Sequence, residues 1–500
     1  MDMIETLHEN LPLLVTMSTL LGAYLMPVVS RVRFNLSGPL AVVSVAVSFC
    51  LSLYFIGVTR DGTRVYYNVG HWPPPWGIRI VIDPMTAFIV TLVSGVGLVV
   101  LFYALREIKE SMSRSSQGWY ITTYLLLMSG MLGMTVTDDL FNLYVFIEVT
   151  GFSAVALVAA RDDQASTEAA FKYLMLATLG SGFIMAGIGM VYVVTGHLNM
   201  RYVTTALITA RDSYPMLLWV ALSFFVAGFG VKSALFPLHV WLPDAYSSAP
   251  SPSSALLSGL VSKVYIFGLI KVLYFCFYHV ILARYFIPTT LTSLACAGII
   301  GGSLFAMIQP DIKRRLAYSS VAQIGYIYLA LGLNTRLGMI AALFHIMSHA
   351  IMKSCLFMAA GGVIYRTGRR NIRDFAGLGK AMPWTMACFT ICSFSMMGIP
   401  LLSGFVSKWY LLSGSLDAGS PFMVVVILVG SLLAAAYLLP VVWRAWFTTD
   451  ESGAFKGPIK ETPWPMLVPI LLLTGATILL GIKPALALDI IEKAVETLFF

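Results

Sequence analysis

The chain has 500 residues, 58% of them hydrophobic and 11% charged, with a formal net charge of +8 and a mean hydropathy of +0.83. So few charges cannot cover a water-facing surface, which excludes a soluble globular protein and leaves an integral membrane protein. The positive charges are spread over many short loops, which excludes a nucleic-acid footprint.

Apolar stretches of about 20 residues, the length that crosses a bilayer core, recur about fourteen times. They predict helices over 11–29, 39–59, 83–104, 119–136, 140–160, 170–194, 216–246, 254–275, 287–308, 315–333, 337–364, 383–414, 422–446 and 464–483. Helices satisfy their own backbone groups in lipid, whereas a barrel would need short alternating segments that this sequence lacks. No soluble domain interrupts the spans, so residues 1–500 read as one membrane domain. The opening Met-Asp-Met-Ile-Glu-Thr-Leu-His-Glu-Asn has no basic region of the kind that precedes a cleaved signal. The first span is therefore expected to stay as a transmembrane helix.

Orientation is read from Lys and Arg. With the N-terminus outside, the inner loops hold about eighteen of them, including Arg31, Arg161, Lys313 to Arg315, Arg366 to Arg373 and Lys456. The outer side holds about half as many, Arg284 and Arg336 among them. Both termini are then expected outside.

The outer segment Tyr66-Tyr-Asn-Val-Gly-His-Trp-Pro-Pro-Pro-Trp76 joins ring anchors to proline stiffness and reads as a rigid interfacial cap. In the fifth span, Glu148 is the one acid placed mid-helix. Lys172, at the inner end of the sixth, is borderline. The seventh span is overlong and carries Gly228-Phe-Gly-Val-Lys232 before Pro237-Leu-His239-Val-Trp-Leu-Pro-Asp244. Proline removes helix hydrogen bonds, so a break is expected there, with His239 able to link Lys232 to the inner side. A Ser- and Pro-rich turn over 247–254 leads into the span that holds Lys263. Lys271, near that span's outer end, reads as a snorkelling side chain.

His345, His349 and Lys353 recur every four residues and share one face of the eleventh span. The same spacing suits zinc, but no Glu lies between the histidines and no third ligand is evident. Bis-histidine haem would need partners on a facing helix, which cannot be chosen between His239 and His279. The twelfth span breaks at Gly398-Ile-Pro400 and carries Gly404-Phe-Val-Ser-Lys408, a lysine context about 176 residues after the first. Cys50, Cys276, Cys296, Cys355, Cys388 and Cys392 fall in or beside apolar spans and read as small buried hydrophobes, with no disulfide or cluster framework. The last residues, 486–500, are amphipathic and are expected on the outer surface or against a partner.

An ammonium at bilayer depth costs about 2.5–3.5 kcal/mol on insertion scales, so lysines kept there usually line a polar path. Low dielectric penalises charge and brings proton exchange by such groups within physiological reach. A carboxylate about 4 Å from Lys232 would interact with it by about 4 kcal/mol at an effective dielectric of 20. Opening and closing such a Glu148–Lys232 pair would switch the lysine between holding and releasing a proton, whereas a permanent pair would only tie two helices together. No dinucleotide fingerprint, cluster motif or catalytic triad is present, so redox chemistry is not expected in this chain and no cofactor or metal is assigned to it.

Lys232-Ser-Ala-Leu-Phe-Pro-Leu-His239-Val-Trp-Leu-Pro-Asp-Ala, the run from Ala249 to Lys263, Asp311-Ile-Lys-Arg-Arg-Leu-Ala-Tyr-Ser-Ser and His345-Ile-Met-Ser-His-Ala-Ile-Met-Lys353 together resemble the antiporter-like subunits shared by Mrp-type Na+/H+ antiporters, membrane-bound hydrogenases and respiratory complex I. The resemblance implies two inverted five-helix repeats, here 119–275 and 287–446, each with a broken helix, around a hydrated axis. It implies that Glu148 and Lys232 form the switchable pair, that Lys263, His345 and His349 continue the path, and that Lys408 takes the terminal proton-exchanging position. M-type subunits of complex I carry glutamate at that position, and the outer Gly70–Ile78 segment looks most like the D-type subunit of Mrp antiporters.

The function expected is proton translocation within a multisubunit membrane complex at the cell membrane, coupled to Na+ exchange or to an attached redox module. Partners would be other membrane subunits, protons, Na+ and lipid. The competing classes are an autonomous transporter of a small solute and an inert membrane scaffold.

Overall fold

The computed structural model describes residues 3–277, 286–449 and 459–499; the readings made at His279, Arg284 and Lys456 lie outside them. Two helices, α1 (Met3–Val32) and α2 (Ser37–Thr59), precede a small antiparallel hairpin, β1 (Val65–Asn68) with β2 (Arg79–Ile82). The hairpin is a short exception in an otherwise helical chain: it forms the cap read from the aromatic and proline pattern, and its Val/Tyr/Ile residues suit a pleated, half-buried ribbon.

Next come α3 (Pro84–Ser111), α4 (Arg114–Val136), α5 (Leu140–Ala159) and α6 (Gln164–Thr195), then the short α7 (Met200–Ala210) and α8 (Pro215–Ser233). The chain then turns through α9 (Leu242–Ser248) into α10 (Ser251–Leu256) and α11 (Ser262–Ile270), which form one apolar span, Ser251–Cys276, interrupted by wider π turns at Leu257–Val261 and Lys271–Cys276. The second half runs α12 (Phe286–Ile308), α13 (Ile312–Gly332), α14 (Arg336–Thr367), the single turn α15 (Leu378–Ala381), α16 (Pro383–Met397), α17 (Ser403–Asp417) and α18 (Pro421–Phe447). The last helices are α19 (Trp464–Ile482) and α20 (Ala485–Phe499).

Starts and stops follow local chemistry. Asp83, Ser113, Asp139, Asp163, Asp311 and Thr335 each accept an N–H of the first helical turn. Gly196, Gly368 and Gly398 end their helices with positive φ.

Among the described residues, twelve helices are long and apolar enough to cross a membrane. Two of the fourteen sequence spans fall outside that group for visible reasons. Helix α13 begins with Lys313, Arg314 and Arg315, and the span over 383–414 is split into α16 and α17.

The core is Ser251–Cys276 and α14, whose apolar stretches are wholly buried. Helices α2, α6, α18 and α19 wrap it and turn large apolar side chains such as Phe171, Leu432 and Trp443 outward, as lipid allows. Cys50 lies on this outer surface, which corrects its reading as buried. Neighbouring helices approach closely through glycine: a Cβ on Gly325 would meet the Ala295 carbonyl at 2.9 Å, and one on Gly228 would meet the Gly180 carbonyl at 2.7 Å.

The C-terminal α20 lies on the same face as the hairpin, where Arg64 Nη2 donates to Thr497 O at 3.0 Å and Arg336 pairs with Glu496 at 2.9 Å. This is termed the hairpin face. The opposite basic face carries Arg161, Arg314, Arg366 and Arg370.

Candidate functional site

Both broken helices place a lysine at the break. Helix α8 stops because Ala234 takes a left-handed φ of 62°, and the carbonyls it frees are taken up locally: Gly230 O by Leu235 N–H at 2.8 Å and Val231 O by the Trp241 indole at 2.9 Å. Lys232 sits in this last turn, 2% exposed, with Nζ 3.7 Å from Glu148 Oε1 on α5 and 5.7 Å from the Tyr265 ring centre. Glu148 is 24% exposed, so the acid is the wetter partner.

At the second break, Gly398 (φ 91°) leaves the last carbonyls of α16 open, and Lys408, reaching back from α17, donates to Met396 O at 2.9 Å, Met397 O at 3.2 Å and Ser431 Oγ at 3.0 Å. Its ammonium also lies 4.9 Å from the centre of the Tyr326 ring. Lys408 therefore holds a broken helix end, and no carboxylate pairs with it among the described residues.

Between the breaks runs a line of buried polar groups. Lys263 donates to Ser258 O and to Ser262 Oγ at 3.2 Å; the π turn at Leu257–Val261, just before it, widens the helix there. Ser258 and Ser320 hydroxyls are bonded at 2.9 Å, and Lys353 donates to Leu316 O at 2.7 Å and to Ser319 Oγ. The rings of His345 and His349 stack at 5.9 Å, and His345 Nδ1 meets Ser407 Oγ, the residue before Lys408, at 2.8 Å. Both nitrogens of His349, Nε2 of His345, both amide atoms of Gln323 and the Tyr265 hydroxyl are buried without protein partners. Buried polar atoms of this kind are normally satisfied by ordered water.

Glu148, Lys232, Lys263, His345, His349, Lys353 and Lys408 thus lie on packed faces of α5, α8, α11, α14 and α17. His239 Nδ1 is likewise buried without a hydrogen-bond partner. Its ring stacks on Phe236 at 5.0 Å beside Phe305 and Tyr318, and no hydrogen bond links it to Lys232 among the described residues. Lys172 is half exposed and pairs with Glu168 at 2.7 Å and Asp244 at 3.4 Å, which places it in the basic-face rim.

Lys271 corrects the snorkelling reading. It is 5% exposed and donates to Thr135 O at 2.9 Å and to Thr137 O, tying its π turn to the end of α4. Sequence reading also missed the hydroxyl connectors Ser258, Ser319, Ser320, Ser407 and Ser431. Their only signal is small polar residues on the same faces as the lysines. Among the described residues no three His, Cys, Asp or Glu side chains converge as a metal cage.

These features define a polytopic helical membrane protein whose core is threaded by buried titratable and polar side chains. Residues 137–434 match the family described as NADH:quinone oxidoreductase/Mrp antiporter, TM, and the chain belongs to it. It is 43% identical over 429 residues to the N-type subunit of the NADH-quinone oxidoreductase of Desulforudis audaxviator, covering 83% of this chain and 84% of that one. It is 32% identical to the D-type subunit of the Na(+)/H(+) antiporter of Alkalihalophilus pseudofirmus over 86% of this chain and 85% of the relative. Two solved structures superpose with TM-scores of 0.89. The Mrp complex from Dietzia sp. is 25% identical, covering 99% of this chain and 98% of the matched one. A membrane-bound sulfane sulfur reductase, an archaeal respiratory membrane complex, is 30% identical with 98% of both chains covered. The protein is a multi-pass integral membrane protein of the kind that assembles with other membrane subunits.

Proposed function

We propose that this chain carries protons across the membrane as one subunit of a larger complex, coupled to Na+ exchange or to an attached redox module. The observation that carries the reading is the set of buried titratable groups between the two helix breaks, from Lys232, paired with Glu148, to Lys408, with serine hydroxyls and the His345 and His349 rings among them. Release of Lys232 by Glu148 lets the lysine pass its proton towards Lys263. From there the His349 and His345 rings and Ser407 lead to Lys408. The membrane potential acts on each charge moved by about 2.3 kcal/mol per 100 mV, so the coupled reaction must supply a comparable drive.

In this reading the two broken helices belong to two related halves of opposite direction, 119–275 and 287–446, and the basic face is the inner one. Protons are the cargo, and Na+ and lipid are contacts of the complex. The chain itself contributes side chains alone, and any redox group belongs to a neighbouring subunit.

The test is coupled H+ movement in vesicles carrying the whole complex with Glu148→Ala or Lys408→Ala. Loss of coupling with normal assembly supports the path, and wild-type transport by both variants rejects it.

A further inference from the structure

Lys313 reads in the sequence as one of the topology charges of a basic loop. The structure buries it to 1% exposure, with Nζ donating to Ala249 O at 2.5 Å. Around it stand Arg370, Arg161 and Asp311 from the basic face and, from α3, Glu107. One oxygen of Glu107 accepts the Ser251 N–H at 3.2 Å; the other is buried without a hydrogen-bond partner. Tyr103, one turn earlier on α3, and Tyr120 of α4 also face this carboxyl, and Asp162 shares the cavity lining with it. Glu107 also lines a cavity of about 520 Å³ on the basic face, together with Ser113, Arg161, Asp163 and Tyr365. The acid thus lines the cavity and acts electrostatically on the buried amine.

Beyond Lys313 the polar groups continue inward. Leu316 and Ser319, one and two turns further along α13, are the two acceptors of Lys353, so the step from Lys313 to the central line spans about 9 Å along the helix axis. Ser320 then leads through Ser258 to Lys263.

We propose that Glu107 and Lys313 form the proton inlet of the basic face, loading Lys353. The inference rests on the proton-path reading above and adds the point at which that path meets water. A proton from cavity water forms an O–H bond on the Glu107 carboxylate and removes the counter-charge of the Lys313 ammonium. Lys313 then breaks an N–H bond to pass its proton through the Ser319 hydroxyl to a neutral Lys353. Glu107 afterwards returns its own proton to the Lys313 amine and is again a carboxylate. Each cycle takes one proton from the cavity and delivers one to Lys353, with no other reactant.

The experiment uses vesicles holding the complete complex, with the pH of the basic face set at 6 or at 8, and compares wild type with Glu107→Gln, Glu107→Asp and Lys408→Ala. Glu107→Gln should slow coupled proton movement at least tenfold at pH 8 and less at pH 6. Glu107→Asp should keep most of the rate, and formate, a small weak acid able to enter the cavity, should restore part of the loss in the Gln variant. Wild-type rates in Glu107→Gln at both pH values while Lys408→Ala is inactive would overturn the inlet alone. Equal, pH-independent losses in the Gln and Asp variants with no formate response would assign Glu107 a structural role and overturn it too. Wild-type rates in Lys408→Ala would instead remove the path on which the inlet depends. Should Glu107→Gln fail to assemble, Lys313→Gln is read instead: a loss of at least tenfold that added methylamine partly restores supports the inlet, and a wild-type rate or a loss with no methylamine response overturns it.

Discussion

Asp139 and Asp311 perform the same task at two places in the chain. Each caps a long helix, α5 or α13, and each forms an isolated antiparallel bridge with an asparagine sixty positions further on, Asn199 or Asn371. The backbone bonds repeat as well: Leu140 N to Leu198 O and Met200 N to Asp138 O, against Ile312 N to Arg370 O and Ile372 N to Pro310 O, all at 2.9 Å. The first bridge sits under the hairpin, where Arg79 binds Asp138 at 2.5 Å and Asn199 at 3.2 Å. The second sits on the basic face, where Arg370 meets Asp311 at 3.4 Å. One device used on opposite faces supports the reading of two related halves in opposite directions. It also clamps the segment that follows the next helix, α6 or α14, against the start of the capped one.

These clamps give a stability prediction. Asp311→Ala removes the cap to Arg314 N–H and the partner of Arg370 together, and should cost about 1–2 kcal/mol. Asp139→Ala, which removes a cap without such an arginine pair, should cost about 1 kcal/mol. Thermal unfolding of the purified complex checks both, and equal, negligible shifts would deny the clamp its role.

Glycine contacts set helix spacing in lipid, where apolar burial does not pull helices together. Gly325→Val pushes a branched side chain against the Ala295 carbonyl and Ile299, and overpacking of this kind costs about 1–3 kcal/mol. Gly182→Ala, at an open position, should be silent in the same thermal assay. A destabilised Gly182→Ala or an unchanged Gly325→Val would contradict the packing argument.

Lys271 should matter to the fold. Its two carbonyl partners lose their donor in Lys271→Met, a change expected to cost about 1–3 kcal/mol. Thermal stability of the detergent-solubilised complex should fall, while the transport that survives keeps its dependence on Glu148.

Much of the path was legible because an ammonium at bilayer depth is costly enough to stand out in an apolar run. Lys232, Lys263, Lys353 and Lys408 were found that way, and Pro237, Gly398 and Pro400 marked the breaks. A charge near a helix end does not stand out in this way. There Lys271 and Lys313 had a cheaper explanation, snorkelling or loop topology, and only packing shows that neither reaches water. The hydroxyl links were hidden because serine is common on close-packed faces whether or not it carries protons. His239, the titratable ring beside the first break, is stacked among aromatic rings.

If Glu148 and Lys232 act as one switch, their substitutions must not be independent. Glu148→Gln alone leaves Lys232 buried without its 3.7 Å partner, and Lys232→Met alone leaves the carboxylate without its ammonium. Each should reduce coupled transport at least tenfold. The double variant should be no slower than the worse single one, because the second change removes a group already out of action. With each single loss at least tenfold, the departure from multiplicative rates should be about tenfold or more, a coupling of about 1.4 kcal/mol or more, within the range of about 0.5–3 kcal/mol usual for contacting groups. A pair that merely ties α5 to α8 predicts otherwise: the coupling would appear in thermal stability and not in transport. Measuring both quantities on the same four proteins separates a moving ion pair from a fixed one.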